Sequence, residues 1–250
     1  MTFPSAMIRI GKYTRSRGKG ETFHPVKRSV SILKQLNPNS LKETCATKFT
    51  RLTLNFMNSE FFQDVEFVGE NYSADGLRYA EFENCIFKNC GFSNADLSDA
   101  VFSECTFDNC DLSMAKLTNA SFRDVTFVNS KLLGLRFDEC SKILMSFGFD
   151  SCTLNFSSFF QLKLKDTVFK DCRLHEVQFV ETDLSGANFE NSDLSGAVFD
   201  HTNLENADFR TAYNYSFDPD ANRVKNAKFS LVGIAGLLDR FEIKIEGVSR

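Results

Sequence analysis

Thr182-Asp183-Leu184-Ser185-Gly186-Ala187-Asn188-Phe189-Glu190-Asn191-Ser192-Asp193-Leu194-Ser195-Gly196-Ala197-Val198-Phe199 carries Leu or Phe at every fifth position, with a small residue two places before. The beat extends to Phe209 on one side and far back on the other. From Leu77 it runs through Phe82, Phe87, Phe92, Leu97, Phe102, Phe107, Leu112, Leu117, Phe122, Phe127 and Leu132 to Phe137, slips by two residues, and resumes at Leu144. Five matches neither the 3.6 of a helix nor the 2.0 of a strand, so neither element could keep these side chains on one side. A coil of four short edges can. If each pentad makes one edge and turns a corner, its central residue points inward and twenty residues close one square turn. The residue two before it also points inward and must be small, as Ala80, Cys85, Cys90, Ala95 and Ala100 are, and as Ala187, Ser192, Ala197 and Ala207 are at the far end.

Sorting the positions by twenty tests the idea, because one face of successive coils should stack like on like. One face collects Phe67, Phe87, Phe107, Phe127, Phe149, Phe169, Phe189 and Phe209. A second collects Phe62, Phe82, Phe102, Phe122, Leu144, Leu164, Leu184 and Leu204, provided the extra pair near Asp138 to Ile143 is a local bulge. Each buried Phe contributes about 1.5–3 kcal/mol, and stacked rings add roughly 0.5–1.5 kcal/mol per pair. Such a rod is stiff.

Ala95-Asp96-Leu97-Ser98-Asp99, Ala100-Val101-Phe102 and the run from Thr182 to Phe209 resemble the units of the pentapeptide-repeat family, which read Ala-Asp/Asn-Leu/Phe-x-x. The resemblance covers residues 62–210. It implies an all-β solenoid: a right-handed quadrilateral parallel β-helix of about eight coils, one strand spacing of ~4.8 Å apart. The expected division is a basic leader over residues 1–56, the β-helix over 57–217, and a C-terminal cap or dimerisation segment over 218–250. In the leader, residues 1–48 carry ten Lys or Arg against two Glu, and its Gly-, Ser- and Arg-rich composition reads as mostly disordered. It is a basic arm, a targeting peptide, or sequence upstream of a true start at Met57.

Past Phe209 the beat stops. Ser230 looks like a helix cap, and Leu231, Ile234, Ala235, Leu237, Leu238 and Phe241 read as the apolar face of a short helix, followed by a strand over Glu242–Glu246. An open solenoid end must be covered. The segment Tyr215-Ser216-Phe217-Asp218-Pro219, with Asn222 and Ala227-Lys228-Phe229-Ser230, resembles the ending of the members tied to quinolone resistance (Qnr) and microcin immunity. That resemblance implies a homodimer through the tail, with Leu231, Ile234, Leu237, Leu238 and Phe241 at its interface.

Chemistry is sparse. Of the eight Cys, those in the array occupy the small inward positions, with no CxxC pair or His partner to suggest zinc; as reduced, buried, hydrophobe-like residues they suit a cytoplasmic protein. No cofactor and no metal are expected. His175 and His201 fall at outward positions outside any nucleophile motif, and no Gly-rich phosphate loop is present, so the chain does not read as an enzyme. What remains is charge. Between residues 57 and 217 there are 26 Asp or Glu against 12 Lys or Arg; residues 60–111 hold twelve acids and two bases, residues 176–208 eight acids and no base, and the middle six acids against nine bases.

The resemblance to the quinolone-resistance and microcin-immunity members implies a rod that imitates duplex DNA and occupies the DNA-binding saddle of DNA gyrase or topoisomerase IV, protecting it from quinolone-like poisons. The candidate contacts are Asp96, Asp99, Glu104, Asp108 and Asp111 near one end, and Glu176, Glu181, Asp183, Glu190, Asp193 and Asp200 near the other. No direct nucleic-acid or membrane partner is expected. The competing readings are a rigid scaffold for another protein and a secreted effector.

Overall fold

The computed structural model describes residues 60–74 and 76–243, and the leader and most of the expected terminal strand lie outside them. The pentads wind into a parallel β-solenoid of about eight turns. On face 1, β1 (Phe61–Gln63), β3 (Glu81–Glu83), β5 (Val101–Ser103) and β7 (Ser121–Arg123) form a four-stranded parallel sheet. On face 2, β2 (Glu66–Val68), β4 (Ile86–Lys88), β6 (Thr106–Asp108), β8 (Val125–Val128), β9 (Phe147–Asp150) and β10 (Val168–Lys170) form a six-stranded one. Faces 3 and 4 are held by single bridges, such as Asp111 to Lys131 and Arg136 to Ser158. Strands β11 (Asp208–Phe209) and β12 (Lys228–Phe229) pair near the C-terminal end.

The twenty-residue register is direct: Phe82 lies opposite Phe62 and Phe102, and Phe87 opposite Phe67 and Phe107. Face 2 stacks its rings from Phe67 to Phe229 at 4.7–5.5 Å, with neighbouring planes within 4–19° of parallel. Those separations match the strand spacing, so each coil delivers one ring onto the last.

Each pentad turns its corner two residues after the inward Leu or Phe, and that residue repeatedly has φ near +55°, as at Asn84, Asn89, Asn94, Asn109, Asn119 and Asn129. A left-handed residue costs roughly 1–2 kcal/mol with an ordinary side chain, and Asn or Asp escapes part of that. Corner side chains also form ladders: Asn84 Nδ2 donates to Asp64 Oδ1 at 2.7 Å, Asn109 Nδ2 to Asn89 Oδ1 at 2.6 Å, and Asn119 Nδ2 to Asp99 Oδ1 at 2.8 Å. The polar corners thus have a backbone origin.

The structure corrects the second column at the slip. Leu144 is 75 % exposed with φ +55°, not stacked beneath Phe122. Phe147, at a position expected to be small, is buried instead, with ring centroids 5.7 Å from Phe122, 5.1 Å from Phe137 and 5.7 Å from Phe149. The reason is volume. The two extra residues push an edge of face 1 outward and remove a Leu from the core, and Phe147, with the neighbouring inward Leu135 and Leu162, occupies the interior there. Here too the second aromatic column changes side, from Phe122 on face 1 to Phe137, Phe159, Phe179 and Phe199 on face 4.

The tail also departs from expectation. Gly233–Leu237 and Asp239–Phe241 are 3₁₀ turns, not an α-helix, and Glu242 and Ile243 are not in a strand. Gly233 and Gly236 lie so close to the Tyr215 hydroxyl and carbonyl that a Cβ on either would collide. Two glycines also weaken an α-helix by about 1 kcal/mol each. Ala235 and Leu237 are buried, Leu238 is half-buried, and Leu231, Ile234 and Phe241 are exposed. Leu237 therefore belongs to the rod's own core, not to a face open to a partner.

Candidate functional site

The eleven carboxylates do not form one patch. Following the coil, Asp96 and Asp99 lie on face 4 and its corner, Glu104 at the corner of face 1, Asp108 in β6 on face 2, and Asp111 on face 3. The C-terminal group repeats this: Glu176 and Asp193 on face 3, Glu181 and Asp200 on face 4, Asp183 on face 1, Glu190 on face 2. Each group rings the rod.

Within the rings the groups differ in what they already hold. Asp96, Asp111, Asp183 and Asp193 each accept, through Oδ1, the backbone N–H two residues on: Ser98 at 3.1 Å, Ser113 at 3.0 Å, Ser185 at 3.1 Å and Ser195 at 3.2 Å. This is an Asx turn across the inward Leu, and it explains why the repeat puts Asp before Leu. Asp99 is bonded by Asn119 and lies 3.6 Å from Arg78 Nη2; Glu181 accepts from Gln161 at 2.8 Å; Asp200 meets His201 at 3.0 Å. Among the described residues, Glu104, Asp108, Glu176 and Glu190 make no side-chain hydrogen bond or ion pair. They are the carboxylates free to meet a partner.

Asp193 is the most constrained. Its Oδ2 lies 2.8 Å from His175 Nε2, while Oδ1 accepts from Ser195 Oγ at 2.7 Å and Asn214 Nδ2 at 2.9 Å. Burial alone would raise this carboxyl, but the hydrogen bonds of Ser195, Asn214 and His175 outweigh it and hold Asp193 below the usual carboxylate range. Ser195 and His175 both address the aspartate, not each other, so no activated nucleophile results. The spacing of eighteen between His175 and Asp193 joins adjacent coils of face 3, a signal the twenty-residue register could have supplied.

A depressed folded value makes Asp193 stabilising above the ordinary carboxyl pKa, about 3.9, and that contribution is lost as pH falls through the lower folded value. Asp193→Asn is therefore expected to flatten the decline of Tm below about pH 4. Melting followed by circular dichroism from pH 6 to pH 2 measures it. An acid limb as steep as the parent's contradicts the assignment.

The described cysteines are all free and buried, and burial pushes Cys152 up to about 11 and Cys140 and Cys172 higher still. Among the described residues no group of three or more His, Cys, Asp or Glu is arranged to hold a metal ion, and no helix is long and apolar enough to cross a membrane. A shallow groove of ≈ 260 Å³ runs along the corner asparagines Asn89, Asn109 and Asn129, open to solvent beside Asp111 and Lys131.

Comparison with known proteins gives two family matches: pentapeptide repeats, in eight copies, over residues 152–191 and 172–210, and a pentapeptide repeat region over residues 80–147. No curated protein matches the chain. Among solved structures, a trypsin-treated variant of QnrB1, a plasmid-mediated fluoroquinolone resistance protein, is 25 % identical, covering 77 % of this chain and 94 % of its own, with a TM-score of 0.37. HetL, a pentapeptide repeat protein involved in heterocyst differentiation regulation from Nostoc sp. strain PCC 7120, is 20 % identical over 73 % and 92 %, with a TM-score of 0.36. A pentapeptide repeat protein from the Arabidopsis thaliana thylakoid lumen is 17 % identical over 58 % and 88 %, with a TM-score of 0.29.

Proposed function

The chain belongs to the pentapeptide-repeat family, and from that premise we propose that it is a non-enzymatic acidic rod, cytoplasmic, that binds the DNA-binding saddle of a type II topoisomerase as a DNA mimic and shields it from quinolone-like poisons. The observation that carries this reading is the ringing of both ends by carboxylates on all four faces, with Glu104, Asp108, Glu176 and Glu190 unpaired. Duplex DNA is likewise charged around its circumference. Over roughly 38 Å, eight strand spacings, a duplex carries about 22 charges, against a net of −14 for residues 57–217. Long-range attraction steers such a rod to a basic saddle, and no bond need be made or broken.

The test is a titration of the full chain into gyrase supercoiling and ciprofloxacin-stabilised cleavage assays. Inhibition of supercoiling or relief of cleavage is expected, weakening as salt is raised. Reversing the unpaired carboxylates together, in Glu104→Lys, Asp108→Lys, Glu176→Lys and Glu190→Lys, should weaken the effect roughly ten- to hundredfold while leaving the circular dichroism spectrum unchanged. No effect of the parent chain up to tens of micromolar would defeat the proposal.

The same reading expects two copies to join through the exposed Leu231, Val232, Ile234 and Phe241, an apolar patch continuous with the solenoid end. Light scattering should then give twice the 28.3 kDa of one chain, and Leu231→Asp with Ile234→Asp should return the mass of one.

A further inference from the structure

We propose that the slip in the repeat is a second docking site, of opposite character to the acidic rings, which takes an acidic segment of a partner protein bearing an apolar side chain. The face 1 sheet ends at β7, whereas the face 2 sheet runs past the same level to β9 and β10. Where the coil before has only Ser121 between the anchoring carbonyls, the chain here spends the segment from Ser141 to Ser146: Ser141 N–H donates to Ala120 O at 2.8 Å and Ser146 N–H to Phe122 O at 3.2 Å. The intervening residues arch outward, leaving Ile143 68 % and Leu144 75 % exposed. Phe147 fills the core that Leu144 vacates. A bulge that re-aims side chains and ends a ladder is a built feature, and this one turns an aliphatic pair to solvent without emptying the interior.

Its surroundings say what would cover it. Arg123 precedes the arch on face 1, Lys142 lies on it, and Lys163 and Lys165 follow on the next coil. Among the described residues none of these four cations has a carboxylate within ion-pair distance. Lys142 Nζ instead donates to the Gln161 carbonyl at 3.3 Å, next to Phe160, itself 38 % exposed. Beneath the arch, Ser121 is 4 % exposed at a position that elsewhere faces water, and its Oγ, like Arg123 Nε, has no hydrogen-bond partner. The three lysines and the Arg123 guanidinium, without carboxylate partners and beside an exposed aliphatic pair, suit a carboxylate flanked by an apolar side chain. An anionic lipid surface suits it less, because a plane lying along the rod at the arch also meets the acidic rings toward both ends, while a peptide strand reaches the arch alone.

The probe is a fluorescein-labelled set of hexapeptides with Asp or Glu around a central Leu, Ile or Phe, beside matched sets with Lys for the acids and with Ser for the apolar residue. Anisotropy with the full chain should show members of the acidic apolar set binding at least tenfold tighter than both matched sets. Ile143→Ser with Leu144→Ser, and separately Lys163→Glu with Lys165→Glu, should each weaken that binding tenfold or more with an unchanged circular dichroism spectrum. Any of four results overturns the proposal: no preference among the sets, a preference that survives both variants, arch-dependent binding to phosphatidylserine vesicles in place of the peptides, or a doubled mass that the Ile143→Ser, Leu144→Ser variant abolishes.

Discussion

Phe169→Asp is expected to abolish the cooperative thermal transition of the central coils. Phe169 is fully buried, stacked 5.1 Å from Phe149 and 5.2 Å from Phe189, with edge contacts to Phe159 and Phe179 from the opposite wall. Removing a buried Phe side chain costs about 3–5 kcal/mol, and an unpaired carboxylate in its place adds several more or forces protonation. That sum is comparable with the roughly 5–15 kcal/mol that holds a whole domain together. Each coil is supported only by the one before and the one after, so failure here also strips the ends of their neighbours. Melting by circular dichroism, with limited proteolysis to locate the opened coils, reads the outcome. Val168→Asp is the control: the same strand, one residue away, pointing outward and 42 % exposed, and expected to shift stability by about 0.5 kcal/mol or less. Equal melting of the two variants would mean that the inward and outward positions are wrongly assigned.

The columns were legible because a solenoid turns sequence period directly into spatial stacking. Twenty residues bring Phe149 under Phe169 with no long-range information needed, so the fold and the placement of nearly every core residue follow from counting. What escaped was set by energies that counting does not contain. The αL corners are one case: the sequence shows Asn at those places, but the ladder from Asn84 to Asp64 depends on a positive φ that no period reveals. The Asx turns are another. Asp183 and Asp193 look like free surface charge in the sequence, yet each holds the N–H of the serine two residues later, which separates them from the unpaired Glu176 and Glu190. In the tail, an apolar spacing that suits an α-helix yielded to two glycines pressed onto Tyr215. The period also marks where the rule breaks, but not how the break is resolved.

That resolution supplies a test in which the five-residue beat and the structure disagree. By the beat alone, Leu144 is core, and Phe147 is too large for a position that holds Cys85, Cys105 and Ala187 in other coils. Leu144→Ala is nevertheless expected to change stability by about 0.5 kcal/mol or less, since its side chain lies in solvent. Phe147→Ala should cost about 3–5 kcal/mol, because its ring touches Phe122, Phe127, Phe137 and Phe149 where the second aromatic column crosses from face 1 to face 4. Leu144, held on the far side of the arch, cannot swing in to refill the cavity, and the partly buried Met145 is the neighbouring apolar side chain left to relax toward it. Urea unfolding of both variants, compared at equal m-value, decides it. A large loss at Leu144 with a small one at Phe147 would mean that the slip is absorbed elsewhere, and that the arch is not held away from the core.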